Sequence, residues 1–218
     1  MTPIELLRTS IEKDIFDYTQ LMVGLSGYKK PRDVVTKLLM DNKIIRIRKG
    51  LYSFGTLWRN VPVPLEMLAN LIYGPSAISL DYALNYYGLI PEQVTTFTSV
   101  TPGRSCVYNT PVGRFSFTHL PTKFYSFGLT FQNTNSQQWM IMKPLKVLAD
   151  KAWTDRRFQP RSPNDFTAYF FQDLRLDEAL LLSFINENDL TELDQNFTTR
   201  KIKWMLDFLS KFKSLNHE

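Results

Sequence analysis

Residues 28–54, YKKPRDVVTKLLMDNKIIRIRKGLYSF, leave this chain a narrow choice of folds. A short amphipathic helix led in by basic residues runs directly into a basic two-stranded ribbon. Pro31 suits the first turn of a helix. At 100° per residue Val34, Val35, Leu38 and Leu39 then share one face, while Asp33, Thr36, Lys37 and Met40 point the other way. From Lys43 to Arg48 the period changes to two, with Ile45 and Ile47 on one side and Arg46 and Arg48 on the other. Lys49-Gly50 makes a tight turn, and Leu51-Tyr52-Ser53-Phe54 returns.

The segment before it is helical as well. Thr2-Pro3-Ile4-Glu5 fits a capping box, and Ile4, Leu7, Ile11 and Ile15 repeat at helical spacing. Asp17 caps a second short helix, with Tyr18, Leu21, Met22 and Leu25 on one face and Ser26-Gly27 as its stop. Three helices and a basic hairpin within the first 57 residues predict a winged helix-turn-helix. A solvated helix face on an ordinary bundle would explain the third helix alone; the ribbon decides between the two.

Charge agrees with that reading. Between Lys29 and Gly50 eight Lys or Arg stand against two acids, Asp33 and Asp41. Neutralising phosphates is the main source of affinity for DNA, so a net of +6 over such a short stretch points to a nucleic-acid face. The expected contacts are Lys29, Lys30, Arg32, Thr36, Lys37 and Lys43, followed by Arg46, Arg48 and Lys49 in the wing. Lys37 and Thr36 would read base edges, and the wing cations would hold phosphates or enter the minor groove.

Trp58–Pro64, WRNVPVP, reads as a linker, because its two prolines discourage regular structure. Residues 65–218 then form a larger domain. Leu65–Ile72 is an apolar helix, and Ser79 is placed to cap a helix that buries Leu80, Ala83, Leu84 and Tyr87 before Gly88. Period-two stretches at 94–101, 104–109, 113–120, 123–131 and 137–142 predict a mainly antiparallel sheet. Helices are expected at 143–153, 165–174, 177–187 and 198–213. The fold class is therefore α+β.

Chemistry-bearing constellations are weak. A single cysteine, Cys106, excludes an internal disulfide and any multi-cysteine zinc site. Only two histidines exist, His119 and His217, and neither has ligand spacing around it. Cys106 with His119 as a nucleophile pair is far less favoured than plain structural roles. There is no Gly-rich phosphate loop, no GxSxG, and no Glu followed two residues later by Lys as a nuclease would carry. The expectation is a non-enzymatic protein with no cofactor and no metal. No secretory apolar region opens the chain and no apolar run reaches the roughly 20 residues that span a bilayer, so a cytoplasmic protein is expected.

Three stretches together resemble one family: RIRKGLYSF after the winged-helix pattern, IYGPSAISLDYALNYYGLIPE at 72–92, and MKPLKVLADKAW at 142–153. In these, and in their order and spacing, the chain is similar to the AbiEi antitoxins of abortive-infection toxin–antitoxin operons. The third stretch departs from the family. Pro144-Leu145-Lys146-Val147 stands where members carry Pro-Glu-Lys-Ala, so no role of that acid carries over. The resemblance implies an N-terminal domain that represses its own operon on double-stranded promoter DNA; a homodimer on that DNA is one arrangement, and the sequence leaves the oligomeric state open. It implies a C-terminal domain that counteracts a nucleotidyltransferase-like toxin. Two alternatives of other classes stay open: a winged-helix transcription factor that senses a small ligand, and a nuclease with a DNA-targeting domain.

Overall fold

A computed structural model describes residues 1–134 and 137–216; His217 lies outside them. Its first six elements are α1 (Pro3–Ser10), β1 (Ile15–Asp17), α2 (Tyr18–Gly24), α3 (Pro31–Met40), β2 (Ile44–Arg48) and β3 (Leu51–Phe54). The strands form an antiparallel sheet in the order β1-β3-β2. Helix–strand–helix–helix–hairpin is the arrangement of a winged helix-turn-helix. The caps follow the sequence: Thr2 and Glu5 form a capping box on α1, and Asp17 and Gln20 form one on α2. Ile15, expected at the end of the first helical stripe, belongs instead to β1, because α1 stops at Ser10. The second helix likewise ends at Gly24, before Ser26-Gly27.

The remaining chain builds α4 (Leu65–Ile72), β4 (Ala77–Ile78), α5 (Leu80–Tyr86), β5 (Thr96–Thr101), β6 (Cys106–Thr110), β7 (Gly113–His119), α6 (Thr122–Tyr125), β8 (Leu129–Thr134) and β9 (Gln137–Met142). Helices complete it: α7 (Pro144–Thr154), α8 (Asp165–Ala168) running into a π-helical turn (Tyr169–Asp173), α9 (Glu178–Phe184), α10 (Glu187–Asn196) and α11 (Arg200–Leu215). The class is α+β, as expected. The six-stranded sheet has the order β6-β7-β5-β4-β9-β8 and is mixed, since β5 with β7 and β4 with β9 are parallel while the other pairs are antiparallel.

The expected strand at 123–131 is corrected. Its aromatic alternation spans a helical turn, α6, where Phe124 and Tyr125 are both buried, and Gly128 at φ +67 turns the chain before β8 starts at Leu129. α10 was not foreseen.

Two hydrophobic cores result. Ile4, Leu7, Phe16, Leu21, Leu38 and Phe54 belong to the small one, and the sheet and later helices enclose the larger. Within the larger core lies a buried ion pair, Lys146 with Asp150, whose side chains are 2% and 0% exposed. The Ser79 hydroxyl donates to the second carboxylate oxygen of Asp150 at 2.9 Å. Ser79 sits at the N-cap of α5, as expected, but its side chain serves Asp150, and the Thr98 hydroxyl takes the Tyr82 amide at 3.0 Å instead. Burial pushes the Lys146 ammonium down and the Asp150 carboxyl up from their ordinary values, each opposed by the attraction of its partner.

Removing one member strands the other in an apolar interior, whereas replacing both does not. Lys146→Met alone is expected to cost about 3–5 kcal/mol in urea unfolding. Lys146→Met with Asp150→Leu is expected to recover most of that loss, and a double variant as unstable as the single one would contradict the assignment.

Candidate nucleic-acid interface

The third helix and the hairpin are joined by a few residues whose conformations are closely prescribed. α3 starts with Pro31 at its first position and closes with Asp41 donating to the carbonyls of Leu39 and Lys37. Asn42 follows at φ +53, a left-handed conformation that asparagine tolerates better than most residues. The Lys43 amide then donates to Leu38 O at 2.9 Å, which launches β2 directly from the end of the helix. On the returning side Gly55 donates to Lys43 O at 2.8 Å. A Cβ at residue 55 would stand 2.0 Å from the Asn42 carbonyl oxygen, so only glycine fits there. Gly50, at φ +87, forms the hairpin turn.

Val35 and Leu38 are buried under α3, with Val34 and Leu39 at the margin of the same core. Thr36 and Lys37 lie on the exposed face with Arg32. The Thr36 hydroxyl donates to Arg32 O one turn back at 3.1 Å, so its oxygen is the part left to accept from a ligand. Lys29 and Lys30 are exposed in the turn that leads into the helix, and Arg46, Arg48 and Lys49 are exposed in the hairpin. Lys43 differs from the rest: half-buried, it pairs with Asp41 at 3.2 Å, which reduces its free charge. The expected residues thus share one small unit, as an exposed helix face beside an exposed hairpin edge.

The hairpin departs from the simple alternation. Register steps from Arg46 opposite Tyr52 to Arg48 opposite Leu51, leaving Ile47 as the extra residue of a bulge. Ile44 and Ile47 are the buried positions of β2, while Ile45 is half-buried. Ile47, 4% exposed, belongs to the larger core, and Ile15 and Leu51 pack against that core from the same sheet. Helices therefore cover one face of the small sheet and the larger unit covers the other. The hairpin is thus docked on the larger core.

A second tie was also invisible in the sequence. Asp14, 7% exposed, accepts the Arg8 guanidinium at 2.8 Å and the amides of Asn60 at 3.0 Å and Val61 at 3.0 Å. Arg8 also lies over the Phe54 ring, 4.6 Å from its centroid. The 58–64 segment is thus held against the small unit: Trp58 packs on its core and Val63 enters the larger one.

The other residues weighed in the sequence are ordinary. The His119 ring donates from Nδ1 to Gly103 O at 2.8 Å, and Cys106 pairs across the sheet with Phe117. Among the described residues no group of three or more His, Cys, Asp or Glu is placed to hold a metal ion. No described helix is long and apolar enough to cross a membrane. The chain matches no protein-family model and no curated protein.

Ile47→Ala is expected to cost about 2–4 kcal/mol, since it opens a cavity where the hairpin meets the larger core. Loss of less than about 0.5 kcal/mol in denaturant unfolding would mean that the hairpin is not anchored there.

Proposed function

We propose that the protein binds double-stranded promoter DNA through α3 and the hairpin, and that it is the autorepressor and antitoxin of a toxin–antitoxin operon. The observation that carries DNA binding is the shared exposure of Lys29, Lys30, Arg32, Lys37, Arg46, Arg48 and Lys49 on one winged helix-turn-helix. α3 presents its polar face as a recognition helix does, and the hairpin supplies the wing. The antitoxin role, directed against a nucleotidyltransferase-like toxin, is supported by the resemblance of 46–54, 72–92 and 142–153 to AbiEi antitoxins. Leu145, where that family carries an acid, is fully buried in this core. Whatever a carboxylate does there is therefore absent from this chain. Growth on co-expression with the neighbouring gene's product tests the antitoxin half.

One observation favours the ligand-sensing alternative. A cleft of about 950 Å³ opens between β1 and α4, lined by Ile15, Asp17, Leu51, Met67, Leu71 and Gln137. Gene neighbourhood separates the two readings, because an adjacent nucleotidyltransferase gene favours the antitoxin.

Two binding measurements check the DNA reading. With about 4–6 phosphates neutralised per protomer, log K should fall with log[salt] at a slope of roughly −4 to −5, and a slope near zero would remove the electrostatic basis. Lys37→Ala should weaken binding to promoter DNA more than to random duplex, whereas Arg48→Ala should weaken both alike. An unchanged specific-to-random ratio for Lys37→Ala would mean that the recognition face lies elsewhere.

A further inference from the structure

Outside the winged helix the charges nearly balance overall, with local basic stretches on α11 and at the end of α7. Residues 151–161, KAWTDRRFQPR, carry four cations against a single carboxylate, Asp155. They form the end of α7 and the loop after it. Two depressions, of about 510 and 400 Å³, meet here and share Lys151, Asp155 and Arg157 as walls. Each falls within the range of roughly 300–1,000 Å³ typical of small-molecule sites.

The loop is built from below. The Lys201 ammonium, from α11, donates to Asp155 O at 2.9 Å and Phe158 O at 2.5 Å. Phe158 lies flat against Tyr169, with ring centroids 3.7 Å apart and planes 3° from parallel. The Asp155 carboxylate turns inward, taking the Arg157 amide at 3.0 Å and the Tyr169 hydroxyl at 3.5 Å. Burial alone would raise its pKa, but the amides of Arg157 and Phe158 outweigh that and hold it below the ordinary value. Its charge is thus engaged with the loop's own backbone. Arg156 and Arg157 stay exposed; the Arg157 side chain is 94% accessible and reaches Asp155 only at 3.6 Å.

We propose that this face binds a small phosphate ester of mononucleotide size. Arg156 and Arg157 would take the phosphate, since guanidinium groups hold phosphate oxygens through paired N–H donors, while Lys151 behind them is already paired with Asp81 at 2.5 Å. Asp173, on the wall of the larger depression, would accept hydroxyl or amino groups at the ligand's other end. That mixture of charges favours a small ester over a nucleic-acid strand. A duplex would bring a row of phosphates against the Asp173 wall, whereas a small ester sets its one anionic end on the arginines.

The site is independent of the promoter-binding reading, and its test needs no promoter. The full-length protein is titrated calorimetrically with AMP and, as a control lacking phosphate, adenosine. AMP is expected to bind saturably with Kd of about 1 mM or tighter. Adenosine should bind at least about tenfold more weakly, and Arg156→Ala with Arg157→Ala should lower AMP affinity by a similar factor. Lys211→Ala, an exposed cation on α11 that lines neither depression, should leave it unchanged. Both arginines are exposed, so a thermal melt matching the parent protein is expected for the double variant. Equal binding of AMP and adenosine, or AMP affinity that survives the double variant, would overturn the proposal. So would random-sequence duplex that displaces AMP in a Lys37→Ala, Arg48→Ala background, because the site would then belong to nucleic acid.

Discussion

One buried carboxylate, Asp14, holds the two parts of the molecule in a fixed relation. It sits just before β1, accepts from α1 through Arg8, and accepts two consecutive amides of the connecting segment. Its own carbonyl takes the Phe54 amide at the end of the hairpin. Helix, strand, hairpin and connection therefore converge on a single residue. A charge so deeply placed is tolerable because every group around it donates. The connection leaves the hairpin through a turn in which the Trp58 and Arg59 amides donate to Gly55 O, and Asp14 fixes where the chain runs next.

The larger unit has a comparable point in Lys146 and Asp150, one helical turn apart on α7. Through Ser79 this pair reaches α5, and Gly128 packs directly on the aliphatic stem of Lys146. A Cβ at Gly128 would lie 2.8 Å from that stem, so the turn into β8 and the buried lysine constrain each other. Nearby, Lys143 joins α7 to α10 through Asp189 and Glu192, both at 2.9 Å. Lysines that a charge count assigns to the surface here join elements together. This is one reason the net charge of the larger unit says little about its exposed face.

What could be read from the sequence was what local chemistry dictates. α3, its first position and its exposed face followed from Pro31 and the apolar period, and Gly50 marked the turn of the hairpin. The nine expected contact residues do lie in one unit, with only Lys43 drawn into an ion pair. What escaped depended on partners distant in sequence. β1 is three residues long and exists because β3 pairs with it. The Ile47 bulge reverses the simple reading of β2, since an alternation cannot announce where it slips. Asp14 looked like any surface acid. The segment 123–131 misled because aromatics at period two also fit a turn of helix followed by a glycine corner. α10 had a signal that went unused: Asn186 capping at the amide of Asp189, ahead of Leu190 and Leu193.

The docked hairpin bears on how a rigid body meets a flexible rod. A wing seated by Ile47 on the larger core, with Ile15 and Leu51 beside it, has already given up its freedom before any ligand arrives. Association then carries little further ordering cost on the protein side. On the proposed DNA-binding reading the adjustment passes to the other partner: a duplex gripped by α3 and such a hairpin would have to bend or shift its groove to suit the bulk behind them. Sequence preference would then extend to base pairs that no side chain touches, selected by how readily they deform.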